Sequence, residues 1–170
     1  MNCPFCSAEN IDGADVCEHC QEPIDFLSQP AASGLEGSLM RDSITTIMST
    51  DPAILHPQQP VWKALDLLSS REIGCVVVVE FDRIVGIFTE RDALERLNAD
   101  AESLRDHPIS QFMTKNPETV PEDAEIMFAL HKMDVGGYRH LPVLRGGSLV
   151  GVLSARHIFQ YIGDRLVTFQ

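Results

Sequence analysis

The sequence predicts a mixed α+β chain in which two β-α-β-β-α units pack together as one α/β module, with a small cysteine-rich segment ahead of them. Three observations carry this expectation. An internal repeat runs at an offset of 65 residues, each copy passes through the same order of hydrophobic periods, and the first 20 residues hold two paired-cysteine knuckles.

The repeat sets the architecture. Met48 matches Met113, Pro52 matches Pro117, Ala64 matches Ala129, Leu65 matches Leu130 and Val78 matches Val143, with no gap needed up to Asp92. Ile84-Val85-Gly86 then matches Leu149-Val150-Gly151, and Arg91 matches Arg156. Two copies of one unit follow from this register.

Each copy opens on a short extended piece, 53–55 or 118–120, followed by a proline-containing turn. An amphipathic helix comes next, with apolar residues at i, i+3, i+4 and i+7: Val61, Ala64, Leu65 and Leu68 in the first copy, Ile126, Ala129, Leu130 and Met133 in the second. Trp62, whose repeat partner is Met127, is expected as a large core residue of this helix. Two apolar strands then form a hairpin, 75–79 with 84–88 and 141–144 with 149–153, across the short turns 80–83 and 145–148. A second helix closes the unit, over 91–97 and 155–162. Neither copy can cover both faces of so small a sheet, so the two are expected to share one core.

The N-terminal segment reads differently. Cys3-Pro4-Phe5-Cys6 and Cys17-Glu18-His19-Cys20 are two C-x-x-C knuckles ten residues apart, a spacing that suits tetrahedral Zn²⁺ held by four thiolates. The metal would replace a core that so few residues cannot build. Two disulfides and a redox pair are the competing readings, disfavoured by compartment and by the second knuckle. His19 reads as a turn residue rather than a ligand. The segment resembles the short zinc-ribbon family, with one departure: Ser7 and Gln21 stand where ribbons often carry glycine, so strained turns are expected. Such a ribbon is expected to dock a protein partner or to stabilise assembly. Residues 27–39, small and rich in Gly, Pro and Ser, read as a flexible linker. The expected division is thus 1–26 ribbon, 27–39 linker, 40–105 first repeat and 106–170 second repeat.

Totals narrow the function. At 170 residues and 44% apolar composition the chain can build a real core, and a formal net charge of -12 opposes nucleic acid and anionic membranes as partners. The ribbon adds to this, carrying Glu9, Asp12, Asp15, Glu18, Glu22 and Asp25 with no Lys or Arg before Arg41. The start Met1-Asn2-Cys3-Pro4 lacks signal-peptide character and no run of about 18 apolar residues occurs, so the cytoplasm is the expected location.

The stretch Gly86-Ile87-Phe88-Thr89-Glu90-Arg91-Asp92 is the most informative one, and its copy is Gly151-Val152-Leu153-Ser154-Ala155-Arg156-His157. Thr89 and Asp92 sit three apart at a strand-to-helix junction. They read either as a helix cap or as a ligand site, in which the Asp92 carboxylate accepts from both hydroxyls of a ribose while the Thr89 hydroxyl and backbone N–H groups address phosphate. The repeat, its G-x-x-[TS]-x-x-D tail and Leu141-Pro142-Val143 together resemble the cystathionine-β-synthase (CBS) domain, over about residues 40 to 170. Two copies resemble the tandem CBS pair, or Bateman module. The resemblance implies a cleft that binds adenine nucleotides or S-adenosyl compounds, a homodimer, and a sensing rather than catalytic role.

It also implies pockets built from both copies. The first would join Thr89 and Asp92 to Tyr138, Arg139 and His140, with the edge segment Thr114, Asn116, Pro117 and Glu118 and an apolar wall from Leu141 and Pro142. Asp92 would hold ribose, while Arg139 and His140 would meet phosphate, unless those two are a solvated loop pair. The second would join Ser154 and His157 to Thr50, Asp51 and Gly74-Cys75. There Asp92 is replaced by His157, and the segment before the strand, Gly74-Cys75, offers no base, so this pocket is expected to be weak or empty unless His157 itself contacts phosphate. Cys75 reads as a buried apolar residue. The alternative function is a ligand-independent dimerisation scaffold. No nucleophile-base pair or phosphate loop supports an enzyme.

Overall fold

The structure, a computed structural model, describes Cys3 and residues 8–24 and 34–168. The first unit comprises β1 (Ile54–Leu55), α2 (Val61–Ser70), β2 (Cys75–Glu80), β3 (Arg83–Thr89) and a helical tail of changing pitch. That tail runs from α3 (Glu90–Asp92) through a π-helical stretch, Ala93–Leu97, and a 3-10 turn, Asn98–Asp100, to α4 (Ala101–Leu104). The second unit holds β5 (Val120–Pro121), α5 (Ile126–Gly136), β6 (His140–Arg145), β7 (Ser148–Ser154) and one continuous helix, α6 (Ala155–Thr168). Ahead of them lies α1 (Gly34–Arg41), and β4 (Thr114–Lys115) falls between the units.

The alternation expected of half-buried strands decides how the units meet. Val76 and Val78 of β2 point into the first unit's core with Val61, Ala64, Leu68 and Phe88. Cys75 and Val77 point the other way and, with Ile87 of β3, meet Val152 of the second unit, which makes a thin apolar seam between the two sheets. Burial of each such side chain contributes roughly 1.5–3 kcal/mol. Both hairpins turn through two left-handed residues, Phe81-Asp82 in one copy and Gly146-Gly147 in the other, the conformation that matches strand twist.

The units exchange their leading segments. β4 lies in sequence just before the second unit, yet it pairs with β3 of the first, Thr114 opposite Ile87. Ser49, its repeat equivalent, bridges Val152 of β7. The same exchange recurs where Ile44 N–H donates to the Ala124 carbonyl and Ile109 N–H to that of Gln59. Ile44 is accordingly buried in the second unit's core, and Ile109, Phe112 and Met113 in the first. A division at residue 105/106 therefore separates sequence copies but not cores.

Two expectations need correction. Residues 34–39 are not flexible linker: they form most of α1, with Ser38 and Leu39 buried against the second unit. Leu35 and Leu39, four apart, supply the apolar contacts that a Gly/Ser-rich reading overlooked. Residues 25–33 lie outside the described residues. Trp62 is 36% exposed rather than central in the core, because Val61 and Ala64 turn the helix's buried face away from it.

Candidate functional site

Strand β3 delivers Thr89 to the start of α3, where a reciprocal capping box forms. Thr89 Oγ1 accepts from the Asp92 N–H at 3.2 Å, and Asp92 Oδ2 accepts from the Thr89 N–H at 2.9 Å and hydroxyl at 2.7 Å. The second copy keeps the box with other chemistry. Ser154 Oγ accepts from the His157 N–H at 3.3 Å, while His157 Nδ1 accepts from the Ser154 N–H at 3.2 Å. An acceptor at Nδ1 means that this nitrogen carries no proton, so His157 replaces the carboxylate as a neutral imidazole.

The motif glycines are explained by close approach across the exchange. A Cβ on Gly86 would come within 2.3 Å of Met113 Sδ, and one on Gly151 within 2.4 Å of the Ser49 carbonyl oxygen. Met113 and Met48 are repeat partners, each lying over the glycine of the opposite copy. The glycines thus admit the exchanged segments that close the module.

Two cavities flank this junction. The first, about 300 Å³, brings together Thr89, Asp92 and Thr114 on one side and Tyr138, Arg139 and His140 on the other. The Tyr138 ring lies over Gly136, where a Cβ would sit 1.9 Å from it, so the glycine ending α5 sets the ring's position. Arg96 of the π-helical stretch also lines this cavity, a residue missed in the sequence because it belongs to no motif. The carboxylate of Asp92, only 7% exposed, is fully engaged: Oδ1 accepts from the Thr114 hydroxyl at 3.0 Å and faces Arg96 Nη2 at 3.2 Å.

The second cavity, about 260 Å³, is lined by Ser154, His157, Asp51, Gly74 and Cys75, and also by Arg139, His140 and Arg156. The expectation that it lacks a base on its wall is therefore corrected. Arg139 and His140 sit between the cavities and line both, and Arg156, already visible as the repeat partner of Arg91, was overlooked. Glu72 and Glu90 also line it, so its charge is mixed. The His140 ring rests on Gly74, where a Cβ would come within 2.3 Å of Nε2. Burial first, and then the charges of Arg139, His157 and Arg156, push the His140 imidazole down to about 4, so it is neutral near pH 7. His157 is lowered too, by burial and by Arg156. Burial and Glu90 push the Cys75 thiol up to about 12.

Other residues named from the sequence fall elsewhere. Thr50, Asn116, Pro117 and Glu118 line neither cavity, and Glu118 pairs instead with Lys132 at 2.8 Å. Leu141 is fully buried in the second unit's core, and Pro142, on the opposite face of β6, lines neither cavity. Strand alternation was the available signal, since a residue inside β6 cannot face both core and cleft.

At the N-terminus the Sγ atoms of Cys3, Cys17 and Cys20 all lie within 4.8 Å of one another, and Cys6 is outside the described residues. Backbone N–H donation from the Cys20 and His19 region, with Asn10 Nδ2 at 3.5 Å, lowers the Cys17 thiol to about 6. Asn10 was not singled out in the sequence; it is buried and also accepts from the Glu18 N–H at 3.0 Å, bracing the knuckle. Three converging sulfurs with a thiolate favoured among them fit a thiophilic ion. Gln21 adopts φ 63, the left-handed strain expected where a glycine is missing.

Comparison with known proteins gives concordant findings. The CBS domain family model matches residues 43–99 and 109–164. An uncharacterised 17.7 kDa protein of Acidianus ambivalens is 32% identical over 128 residues, 74% of this chain and 76% of that protein. The CBS domain-containing protein CBSCBSPB1 of Arabidopsis thaliana is 32% identical over 127 residues, and the match spans only 23% of its length. Among solved structures, a putative signal-transduction protein with CBS domains from Burkholderia ambifaria superposes with a TM-score of 0.66 at 25% identity, covering 71% of this chain and 93% of that one. The CBS domain pair of MJ0100, in complex with 5'-methylthioadenosine and S-adenosylmethionine, gives 0.63 at 24% identity, covering 72% and 97%, a likeness of fold.

Proposed function

The chain belongs to the CBS-domain family, and from that premise we propose that it is a regulatory module that binds an adenosine-containing ligand, an adenine nucleotide or S-adenosylmethionine, where its two repeats meet. The observation that carries this reading is the cavity in which Thr89 and Asp92 of one copy face Tyr138, Arg139 and His140 of the other. A carboxylate suited to a ribose diol, an aromatic ring and a guanidinium converge there from elements that the exchange ties together. A ligand touching both copies would bias their arrangement, which is what a sensor needs. Cys3, Cys6, Cys17 and Cys20 would hold a structural Zn²⁺, replacing the core that the ribbon lacks.

Thermal melts with AMP, ADP, ATP, S-adenosylmethionine and NAD test the reading, since a ligand that binds only the folded chain raises Tm. At least one should give a rise, lost in Asp92→Asn and largely kept in Ser154→Ala. No rise with any of them at millimolar concentration defeats the proposal. Metal analysis of protein purified without chelators should return about one zinc per chain.

A second reading, a ligand-independent dimerisation scaffold, is favoured by one observation. Leu94 and Phe159 are repeat equivalents and are 76% and 69% exposed, so both copies leave a large apolar side chain in solvent at the same position. A second copy of the chain is the occupant such a duplicated feature fits. Light scattering should give a dimer that Phe159→Glu weakens; a dimer indifferent to every nucleotide would favour the scaffold.

A further inference from the structure

Asp92 is the residue on which the ligand reading turns, and it is occupied by the chain itself. Oδ2 is used by the capping box, and Oδ1 takes the Thr114 hydroxyl at 3.0 Å and faces Arg96 Nη2 at 3.2 Å. Arg96 holds its post with two further bonds, Nη1 to the Phe112 carbonyl at 2.7 Å and Nη2 to Thr114 Oγ1 at 3.0 Å. The guanidinium thus spans from the π-helical stretch to Thr114 of β4, which among the described residues pairs with β3 alone. Arg96 sits on that π stretch, a departure from α geometry that often marks a functional position in a helix.

Among the described residues, nothing comparable holds the equivalent position of the second copy. The repeat partner of Arg96 is Tyr161, whose hydroxyl donates to Asp42, and that of Thr114 is Ser49, whose backbone pairs with Val152. Among the described residues the clamp belongs to the Asp92 site.

We propose that Arg96 and Thr114 form an internal competitor for the Asp92 carboxylate, so that a ligand presenting vicinal hydroxyls must displace them and in doing so loosens β4. The inference rests on the ligand reading above and adds how the site is regulated. Arg96 is an affinity-setting residue: it subtracts from diol binding and couples it to the strand that ties the two copies together. Oδ2 already accepts from the Thr89 N–H and hydroxyl, and Oδ1 from the Thr114 hydroxyl with the Arg96 guanidinium ion-paired against it, so two ribose hydroxyls cannot both be accepted while the clamp is closed.

Titration calorimetry of the full chain with AMP and with 2'-deoxy-AMP tests this in wild type, Arg96→Met and Thr114→Val, with folding of each variant checked by its melt. Methionine keeps the aliphatic stem, and valine keeps the shape of threonine. Each variant should bind AMP roughly three- to tenfold more tightly, the range expected for removing a half-exposed charged contact. The 2'-deoxy ligand, which lacks one hydroxyl of the diol, should gain less. Hydrogen exchange adds a second readout: saturating AMP should speed exchange of the peptide covering Thr114 and Lys115 in wild type. AMP binding that is unchanged or weaker in Arg96→Met overturns the clamp while leaving the ligand reading intact, weaker binding marking Arg96 as a phosphate contact. If AMP binds neither wild type nor the variants, the titration uses whichever of the five ligands above raises Tm; absence of binding by all five removes the ligand reading and the clamp with it.

Discussion

His157 shows how one substitution changes a site without breaking its frame. It keeps the capping box of its copy by offering Nδ1 where Asp92 offers a carboxylate, and that bond requires the neutral ring. His140 is held neutral as well, its imidazole pushed down to about 4 by burial and by neighbouring cations. The sign follows directly. A histidine whose folded pKa lies below its unfolded value of about 6.5 contributes stability above that value and loses it as pH falls toward the folded one. Stability should therefore decline by about 2 kcal/mol between pH 6.5 and pH 5, with His140→Gln flattening the slope; denaturant melts across that window measure it. Cys75, buried and pushed up to about 12, should resist alkylation by iodoacetamide in the folded chain at pH 8 and react once unfolded. At Gln21, φ 63 places a non-glycine residue in the left-handed region, so Gln21→Gly should stabilise the knuckle by about 1 kcal/mol, read as slower release to a chelator of the zinc proposed above.

At the scale of elements, the exchange of leading segments is the feature that the motif glycines exist to permit. At Gly151 an added Cβ meets the Ser49 backbone oxygen at 2.4 Å, whereas at Gly86 it meets the end of the flexible Met113 side chain at 2.3 Å. Gly151→Ala should therefore cost about 3 kcal/mol and Gly86→Ala about 1 kcal/mol, measured by urea unfolding, because a backbone cannot step aside as a thioether can. Much of the element order was legible beforehand. Helices starting at Val61 and Ile126 and the two hairpins stand where period 3.6 and apolar runs placed them. The exchange was not legible, because Thr114 pairing with Ile87 and Ser49 with Val152 are long-range choices between equivalent copies. The helix at Gly34–Arg41 was hidden for another reason: its glycines and serines signal a loop, and its stability comes from packing Leu35 and Leu39 onto the second unit.

For the whole molecule, two copies of one unit produce two cavities that differ in chemistry. One presents a carboxylate held by the chain's own Arg96 and Thr114; the other presents a neutral imidazole among Arg139, Arg156 and acidic neighbours. The sequence disclosed the asymmetry at Asp92 and His157, since it lies in a repeated motif. It did not disclose that Arg139 and His140 would line both cavities, because that depends on how the copies face each other. A pair with two unlike pockets suits a sensor in which one pocket reads a ribose-bearing ligand. The most direct test is calorimetric titration of the full chain with AMP, wild type against Asp92→Asn. Saturable binding to wild type, weakened at least about tenfold by the loss of the carboxylate charge, is the expected result. Equal binding by both proteins would contradict the assignment of Asp92 as the ribose-binding residue.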